Sequence, residues 1–270
     1  MIDVVRLQEN VTGEGKPIVL VPGGLTGLIS WEPHVGKLSP FSKVVRVQLL
    51  SVEYGHDDRP LPPDYSVKKE SRALAATLDD LGLDAPVDIA AWSFGAVVSL
   101  DFALDNPERV RTLTLIEPLA IWLLRAKGST EDVGTKEALA TMESLRGDIS
   151  EDMLEGFLCN IGLCPLGQSV RDLPQWPVWV QYRQALRSHP VVISYENDID
   201  RLRQFTQPVL LVKGTGSARF LHEIVDTLAD LLPNSQVIEM PGGHAPHILS
   251  MDQFLKRLES FQAEEARKVA

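Results

Sequence analysis

The chain has 270 residues, of which 44% are hydrophobic, and a formal net charge of −11. This length and apolar content suffice for one domain with a sizeable core. The acidic balance and the lack of a basic stripe argue against nucleic-acid binding, and no run of about 18 apolar residues is present to span a membrane.

The start of the chain and its cysteines indicate the cellular compartment in which we expect the protein. Residues 1–6 lack the charged and apolar regions of a signal peptide, so we expect a cytoplasmic protein. The two cysteines, Cys159 and Cys164, have no histidine nearby that would complete a zinc site, and we expect free thiols. The expected partner is a small-molecule substrate, and a homodimer is left open.

Apolar runs separated by turn residues predict an alternation of strands and helices from the start of the chain. Strands are predicted over residues 1–8, 17–24 and 44–50, and a polar, proline-rich loop over 51–63. Ser66 has the position of a helix N-cap. Apolar residues then follow at helical spacing until Gly82, which ends the predicted helix.

The segment 87–98 is the centre of this pattern. Its first half predicts a buried strand, its second half a helix, and Ala91-Trp92-Ser93-Phe94-Gly95 lies between them. This is the G-x-S-x-G pattern of a nucleophile elbow with alanine at the first glycine, and alanine is still small enough for strand and helix to approach closely. The turn exposes the serine hydroxyl at a helix N-terminus, which favours developing negative charge. A serine that only caps a buried helix is the alternative.

The second half of the chain returns to strands only after a long helical stretch. Strands are predicted over 112–117, 208–214 and 236–240, with none between 118 and 207. Ser250 and Gln253 form the capping box of a last amphipathic helix.

The alternation predicts an α/β fold with a mainly parallel sheet and helices on both faces. Residues 1–118 and 207–270 would form the core. Residues 119–206 would form an inserted helical cap over the carboxyl edge of the sheet, where such folds bind ligands.

Three further features agree with a reactive Ser93. Gly24 ends a glycine turn after a strand, where a backbone N–H can approach a substrate oxygen. Glu117 ends the strand that follows the elbow helix, and His244 follows a glycine pair after the last strand. Serine, acid and histidine in this chain order are typical of α/β-hydrolases.

Over essentially its whole length the chain resembles the α/β-hydrolase-fold enzymes. The residues that carry the resemblance are Val-Pro-Gly-Gly24, Ala-Trp-Ser93-Phe-Gly, Leu-Ile-Glu117-Pro and Gly-Gly-His244-Ala-Pro-His. The resemblance implies that Ser93 is the nucleophile and His244 its base. It also implies that the backbone N–H groups of Gly24 and Phe94 form the oxyanion hole.

The chain departs from the usual family pattern at the acid. The family carries it after the strand 208–214, where this chain has Ser217, and a hydroxyl has no charge to stabilise an imidazolium. The fungal zearalenone lactonases place the acid one strand earlier, and the segments around Glu117 and His244 are similar to theirs. We therefore predict Glu117 as the acid; a Glu-Pro pair that only shapes the entry to the cap is the alternative.

The remaining candidates concern the substrate pocket. Leu25 after the glycine turn and Trp122, Trp176 and Trp179 in the predicted cap are pocket candidates, although the tryptophans would equally well fill the core of the cap. We expect His247 to be a hydrogen-bonding spacer. Four other histidines are expected on solvated faces: His34, His56, His189 and His222.

These features together predict a serine hydrolase that cleaves a carboxylic ester or lactone of a small, largely apolar substrate through an acyl-enzyme. This chemistry requires no metal and no organic cofactor. C–C bond or thioester hydrolysis on the same three residues is one alternative, and a non-catalytic binding protein on a hydrolase scaffold is another.

Overall fold

The computed structural model describes residues 5–126, 132–164 and 167–269. Its centre is a seven-stranded sheet in the order β1-β3-β2-β4-β5-β6-β7, in which β1 runs antiparallel to β3 and all other pairs are parallel. The strands are β1 (Gln8–Thr12), β2 (Lys16–Val21), β3 (Ser42–Gln48), β4 (Val87–Trp92), β5 (Val110–Ile116), β6 (Val209–Gly214) and β7 (Ser235–Met240). The predicted α/β fold with a mainly parallel sheet is confirmed.

Helices pack on both faces of this sheet. In chain order they are α1 (Glu32–Leu38), α2 (Leu50–His56), α3 (Val67–Asp80), α4 (Phe94–Asp105), α5 (Trp122–Ala126), α6 (Val133–Glu143), α7 (Glu151–Asn160), α8 (Trp176–Tyr182), α9 (Val191–Ser194), α10 (Ile199–Gln204), α11 (Arg219–Leu231), α12 (Pro246–Leu249) and α13 (Met251–Val269). Successive strand residues point to opposite faces, so Ile18 and Val19 belong to two different cores. The larger core contains α3, α4, α11 and much of the inserted segment, and the smaller one contains α1 and α13.

Two local predictions are wrong in their positions. The first strand begins at Gln8 rather than lying within residues 1–8, of which residues 1–4 are outside the described part of the chain. The predicted loop over 51–63 instead begins with helix α2, because Leu50 and Val52 find a buried apolar environment. The Ser66 cap is confirmed, since its side chain accepts the N–H of Lys69.

The inserted segment, residues 119–206, is helical and contains no strand in its described residues. Leu154 and Phe157 of α7 are buried in the larger core, so the segment packs on the rest of the chain. Cys159 and Cys164 form a disulfide across the turn that follows α7, which corrects the expectation of free thiols. Within the described residues, no helix is both long and apolar enough to cross a membrane.

Candidate active site

Ser93 lies at the apex of a sharp turn between β4 and α4. Its backbone has φ 58° and ψ −121°, a conformation that side-chain-bearing residues rarely adopt and that is often found at functional sites. Gly95 allows this turn, because a Cβ atom there would lie 2.1 Å from the carbonyl oxygen of Pro22. Ala91 is fully buried, and the alanine in place of the first glycine therefore fits the close approach. Ser93 is only 4% exposed.

His244 reaches Ser93 from the loop that follows β7. Its Nε2 lies 2.7 Å from the Ser93 Oγ, which is a short hydrogen bond. The indole N–H of Trp92 donates to the His244 carbonyl oxygen at 2.7 Å and fixes the backbone of the loop. Gly243, just before the histidine, abuts the inserted segment, because a Cβ on Gly243 would lie 1.7 Å from the carbonyl oxygen of Gly162.

Glu117 approaches the other side of the same imidazole. It directly follows β5, is fully buried and has a positive φ of 48°. Its Oε2 lies 3.4 Å from His244 Nδ1. A non-glycine residue in this conformation costs about 1–3 kcal/mol and persists only where its surroundings enforce it. Here the neighbouring strand does so, since the Glu117 N–H donates to the Val212 carbonyl oxygen at 3.0 Å.

Ser217 contacts the Glu117 carboxylate, although its position in the chain is the usual one for the acid of the family. It occupies the place where an acid was expected, and its hydroxyl lies 2.9 Å from Glu117 Oε1, to which it can donate. The backbone N–H of Gly214 donates to the same oxygen at 2.6 Å. The Ser217 hydroxyl lies equally close to the Gly214 carbonyl oxygen, at 2.9 Å, and its single proton can go to either acceptor. The Gly214 N–H on Oε1 leaves Oε2 for the histidine, so the loop after β6 positions the Glu117 carboxylate.

Gly24 and Phe94, the predicted oxyanion-hole residues, are neighbours in space. A Cβ atom on Gly24 would lie 3.3 Å from the Phe94 Cβ, and both residues are buried. Phe94 is the first residue of α4, so its N–H has no acceptor within the helix. The structure therefore brings together Ser93 and the two residues that were predicted to supply N–H groups.

The predicted pocket residues are spread more widely. Leu25 is buried beside the glycine turn. Trp122 is buried with its ring edge-on to Tyr195, and Trp176 is half-buried beneath the Arg171 guanidinium. Trp179 is half-buried against the larger core. In the described residues, no ring contact joins these three tryptophans to His244, and their role in the pocket stays a prediction.

Three histidines were misjudged from the sequence. His34 and His189 are buried rather than on solvated faces, His247 is also buried, and burial lowers the pKa of each. Neither ring nitrogen of His247 has a hydrogen-bond partner in the described part of the chain, so its ring is not a hydrogen-bonding spacer. It packs instead against the Trp92 ring, at 4.9 Å between centroids. No local sequence signal marks such positions, because the contacts come from distant segments.

The arrangement is suited to proton transfer. With its proton on Nδ1, facing the Glu117 carboxylate, His244 presents an Nε2 lone pair to the Ser93 hydroxyl. A proton taken from Ser93 would leave an imidazolium beside a buried carboxylate. In the described residues, no cluster of three histidine, cysteine, aspartate or glutamate side chains has the geometry to hold a metal ion.

Comparison with known proteins identifies the wider group. A family model described as alpha/beta hydrolase family matches residues 18–257. The 2-hydroxymuconate semialdehyde hydrolase of Pseudomonas putida is 26% identical over 93% of this chain and 89% of its own. The pimeloyl-[acyl-carrier protein] methyl ester esterase of Aliivibrio fischeri is 23% identical over 94% and 96%.

Two further matches are partial or concern the fold alone. The 2-hydroxy-6-oxo-2,4-heptadienoate hydrolase of Pseudomonas putida is 37% identical over 112 residues, which is 40% of either chain. Among solved structures, a thermophilic esterase from Thermogutta terrifontis superposes with a TM-score of 0.74 over 96% of this chain and 93% of its own, at 18% identity. That degree of identity supports a shared fold and no shared substrate.

Proposed function

The chain belongs to the alpha/beta hydrolase family, and from that premise we propose that it is a serine hydrolase that cleaves a carboxylic ester or lactone of a small, largely apolar substrate. The observation that carries the proposal is the 2.7 Å contact between Ser93 Oγ and His244 Nε2, with the Glu117 carboxylate behind the imidazole. In a nucleophile elbow these groups activate a serine for attack on a carbonyl carbon.

The reaction proceeds through an acyl-enzyme. His244 Nε2 takes the proton of Ser93 as Oγ bonds to the carbonyl carbon, and the N–H groups of Gly24 and Phe94 stabilise the oxyanion. His244 then gives the proton to the leaving oxygen as the C–O bond breaks. Water, activated by the same histidine, hydrolyses the acyl group from Ser93, and the Glu117 charge stabilises the imidazolium in both steps.

The chain resembles the zearalenone lactonases in the position of Glu117, one strand earlier than the usual family acid. This resemblance supports a function similar to that of these lactonases. Lactone cleavage uses the same steps, except that the alcohol stays attached to the acyl group. We propose that the inserted segment acts as a cap that closes over the bound substrate, because Ser93, Glu117 and His244 are all buried.

A direct test is labelling by a fluorophosphonate, which reacts only with an activated serine. We expect one adduct on Ser93, located by peptide mass spectrometry, and no adduct in the Ser93→Ala variant. Purified protein should then be assayed on a panel of esters and lactones of increasing size. Absence of labelling would favour a non-catalytic binding protein.

C–C bond hydrolysis is the second candidate, because the full-length relative from Pseudomonas putida is a 2-hydroxymuconate semialdehyde hydrolase. The same panel of esters and lactones, with a diketone added, distinguishes ester hydrolysis from C–C bond hydrolysis. An ester hydrolase should give a burst of p-nitrophenol from p-nitrophenyl acetate followed by steady turnover. A C–C hydrolase should instead turn over a dienoic 1,5-diketone faster than any ester.

A further inference from the structure

His189 lies against the candidate oxyanion hole, although sequence analysis placed it on a solvated face. It follows a 3-10 helix, Arg183–Ser188, in the inserted segment and is 1% exposed. A Cβ atom on Gly24 would lie 2.5 Å from His189 Cε1 and 3.1 Å from its Nε2. The imidazole also packs on the Phe94 ring, at 5.4 Å between centroids. The edge carrying Nε2 therefore faces the residues proposed to bind the substrate carbonyl oxygen.

The surroundings of this ring decide which nitrogen carries the proton. The Ser188 hydroxyl donates its proton to the Ala185 carbonyl oxygen at 2.9 Å, so its oxygen is left to accept, and this oxygen lies 3.5 Å from His189 Nδ1. We therefore assign the proton to Nδ1 and the lone pair to Nε2. Burial, reinforced by nearby His244, lowers the pKa of His189 to about 3, so the ring is neutral at physiological pH.

The segment that carries His189 is fixed on the core. A Cβ atom on Gly55 of α2 would lie 2.3 Å from the backbone nitrogen of Ala185, so the two backbones are in direct contact. The buried Glu70 carboxylate accepts the N–H groups of Leu50 and Ser51 at the start of α2 and the Tyr65 hydroxyl. The segment of His189 therefore packs on a helix that is itself fixed, which pre-organises the side chain for binding.

We propose that His189 is a specificity-determining residue whose Nε2 accepts a hydrogen bond from a hydroxyl on the acyl group of the substrate, next to the scissile carbonyl. The inference rests on the proposed function. Because the imidazole packs on both Gly24 and Phe94, a carbonyl oxygen bound by their N–H groups would bring the adjacent acyl carbon close to this ring. A substrate without the hydroxyl would leave a buried acceptor unpaired, which should lower kcat/KM by about ten-fold or more.

The test compares two esters that differ only in this hydroxyl, ethyl 2-hydroxybutanoate and ethyl butanoate. Each kcat/KM is divided by the rate of alkaline hydrolysis of that ester, which removes intrinsic reactivity. We expect wild type to prefer the hydroxy ester by about ten-fold or more. His189→Phe should bring the ratio close to one, and His189→Gln, which keeps an acceptor, should retain part of it. His56→Phe, on an exposed histidine stacked on Tyr182, is the matched control and should keep the wild-type ratio.

A second measurement does not depend on folding of the His189 variants. Calorimetry on Ser93→Ala should show 2-hydroxybutanoate binding more tightly than butanoate by a similar factor. An unchanged ratio in His189→Phe, equal binding of the two acids, or equal losses on both esters would overturn the inference. If Ser93 is labelled by a fluorophosphonate in these cases, only the role of His189 fails. If Ser93 is not labelled and neither ester is hydrolysed, the proposed function fails with it.

Discussion

Replacement of Glu117 by glutamine changes one oxygen of a buried carboxylate into an amide nitrogen. The N–H of Gly214 donates to Oε1 at 2.6 Å, so the amide oxygen of the variant must take that place. The amide nitrogen is then left facing His244 Nδ1, 3.4 Å away in the wild type, and donates to it. The ring proton consequently moves to Nε2, which can no longer accept the proton of Ser93.

The size of the effect follows from the charge as well as the tautomer. Opposite unit charges about 4 Å apart attract by about 4 kcal/mol at an effective dielectric constant of about 20, which corresponds to about 10³ in rate. The equivalent change in a serine protease costs about 10⁴. We expect kcat for p-nitrophenyl acetate to fall by about 10²–10⁴ in Glu117→Gln, with a melting temperature close to that of wild type.

Two variants complete the experiment. Glu259→Gln makes the same chemical change on an exposed face of α13 and should leave the rate unchanged. Glu117→Gln combined with Ser217→Asp places a carboxylate in the usual family position and should restore part of the loss. Turnover of Glu117→Gln at the wild-type rate would refute the reasoning, and Glu117 would then be a residue that only shapes the entry to the inserted segment.

Three further outcomes are expected. Ser93→Ala should lose several orders of magnitude of esterase activity while its circular dichroism spectrum is unchanged, and near-normal turnover would contradict the nucleophile assignment. Trp176→Ala should alter the ratio of kcat/KM between large and small esters more than turnover of an acetate ester; equal losses on both would indicate a tryptophan that only holds its segment together. Because the folded pKa of His189 is about 3 against about 6.5 unfolded, the unfolded chain binds the extra proton below about pH 6.5. The free energy of unfolding should therefore fall as the pH is lowered, by about 2 kcal/mol at pH 5 from this group. The free energy of unfolding of His189→Phe, measured in urea at pH 7 and pH 5, should lack that loss.

Sequence reasoning was strongest where the chemistry is local. The elbow around Ser93 and the glycine pair before His244 are short patterns in which neighbouring residues dictate the backbone, and both segments lie where they were predicted. The end of β5 was also predictable, which brought Glu117 into consideration. The contact between Ser217 and this carboxylate was not predictable, because it joins residues 100 positions apart across the ends of β5 and β6.

Tertiary contacts account for most of the errors. Helix α2 contains polar residues, a glycine and a histidine, and its helical structure depends on packing against the 3-10 helix of the inserted segment. The position of His189 depends on the same packing. The cysteines were interpreted from composition and compartment, whereas their pairing depends on the turn at Gly162, which places their Cα atoms 4.7 Å apart.

The position of Glu117 before the inserted segment determines how a break in the chain would distribute the site residues between two fragments. Ser93 and Glu117 both lie in the continuous β4–α4–β5 unit, and only His244 comes from the region after the inserted segment. A break at the exposed glycine turn around Gly147 would therefore put the proposed nucleophile and acid on one fragment and the proposed base on the other. Neither fragment would hydrolyse an ester alone, and recovered turnover on mixing would make the pair a reporter of fragment complementation.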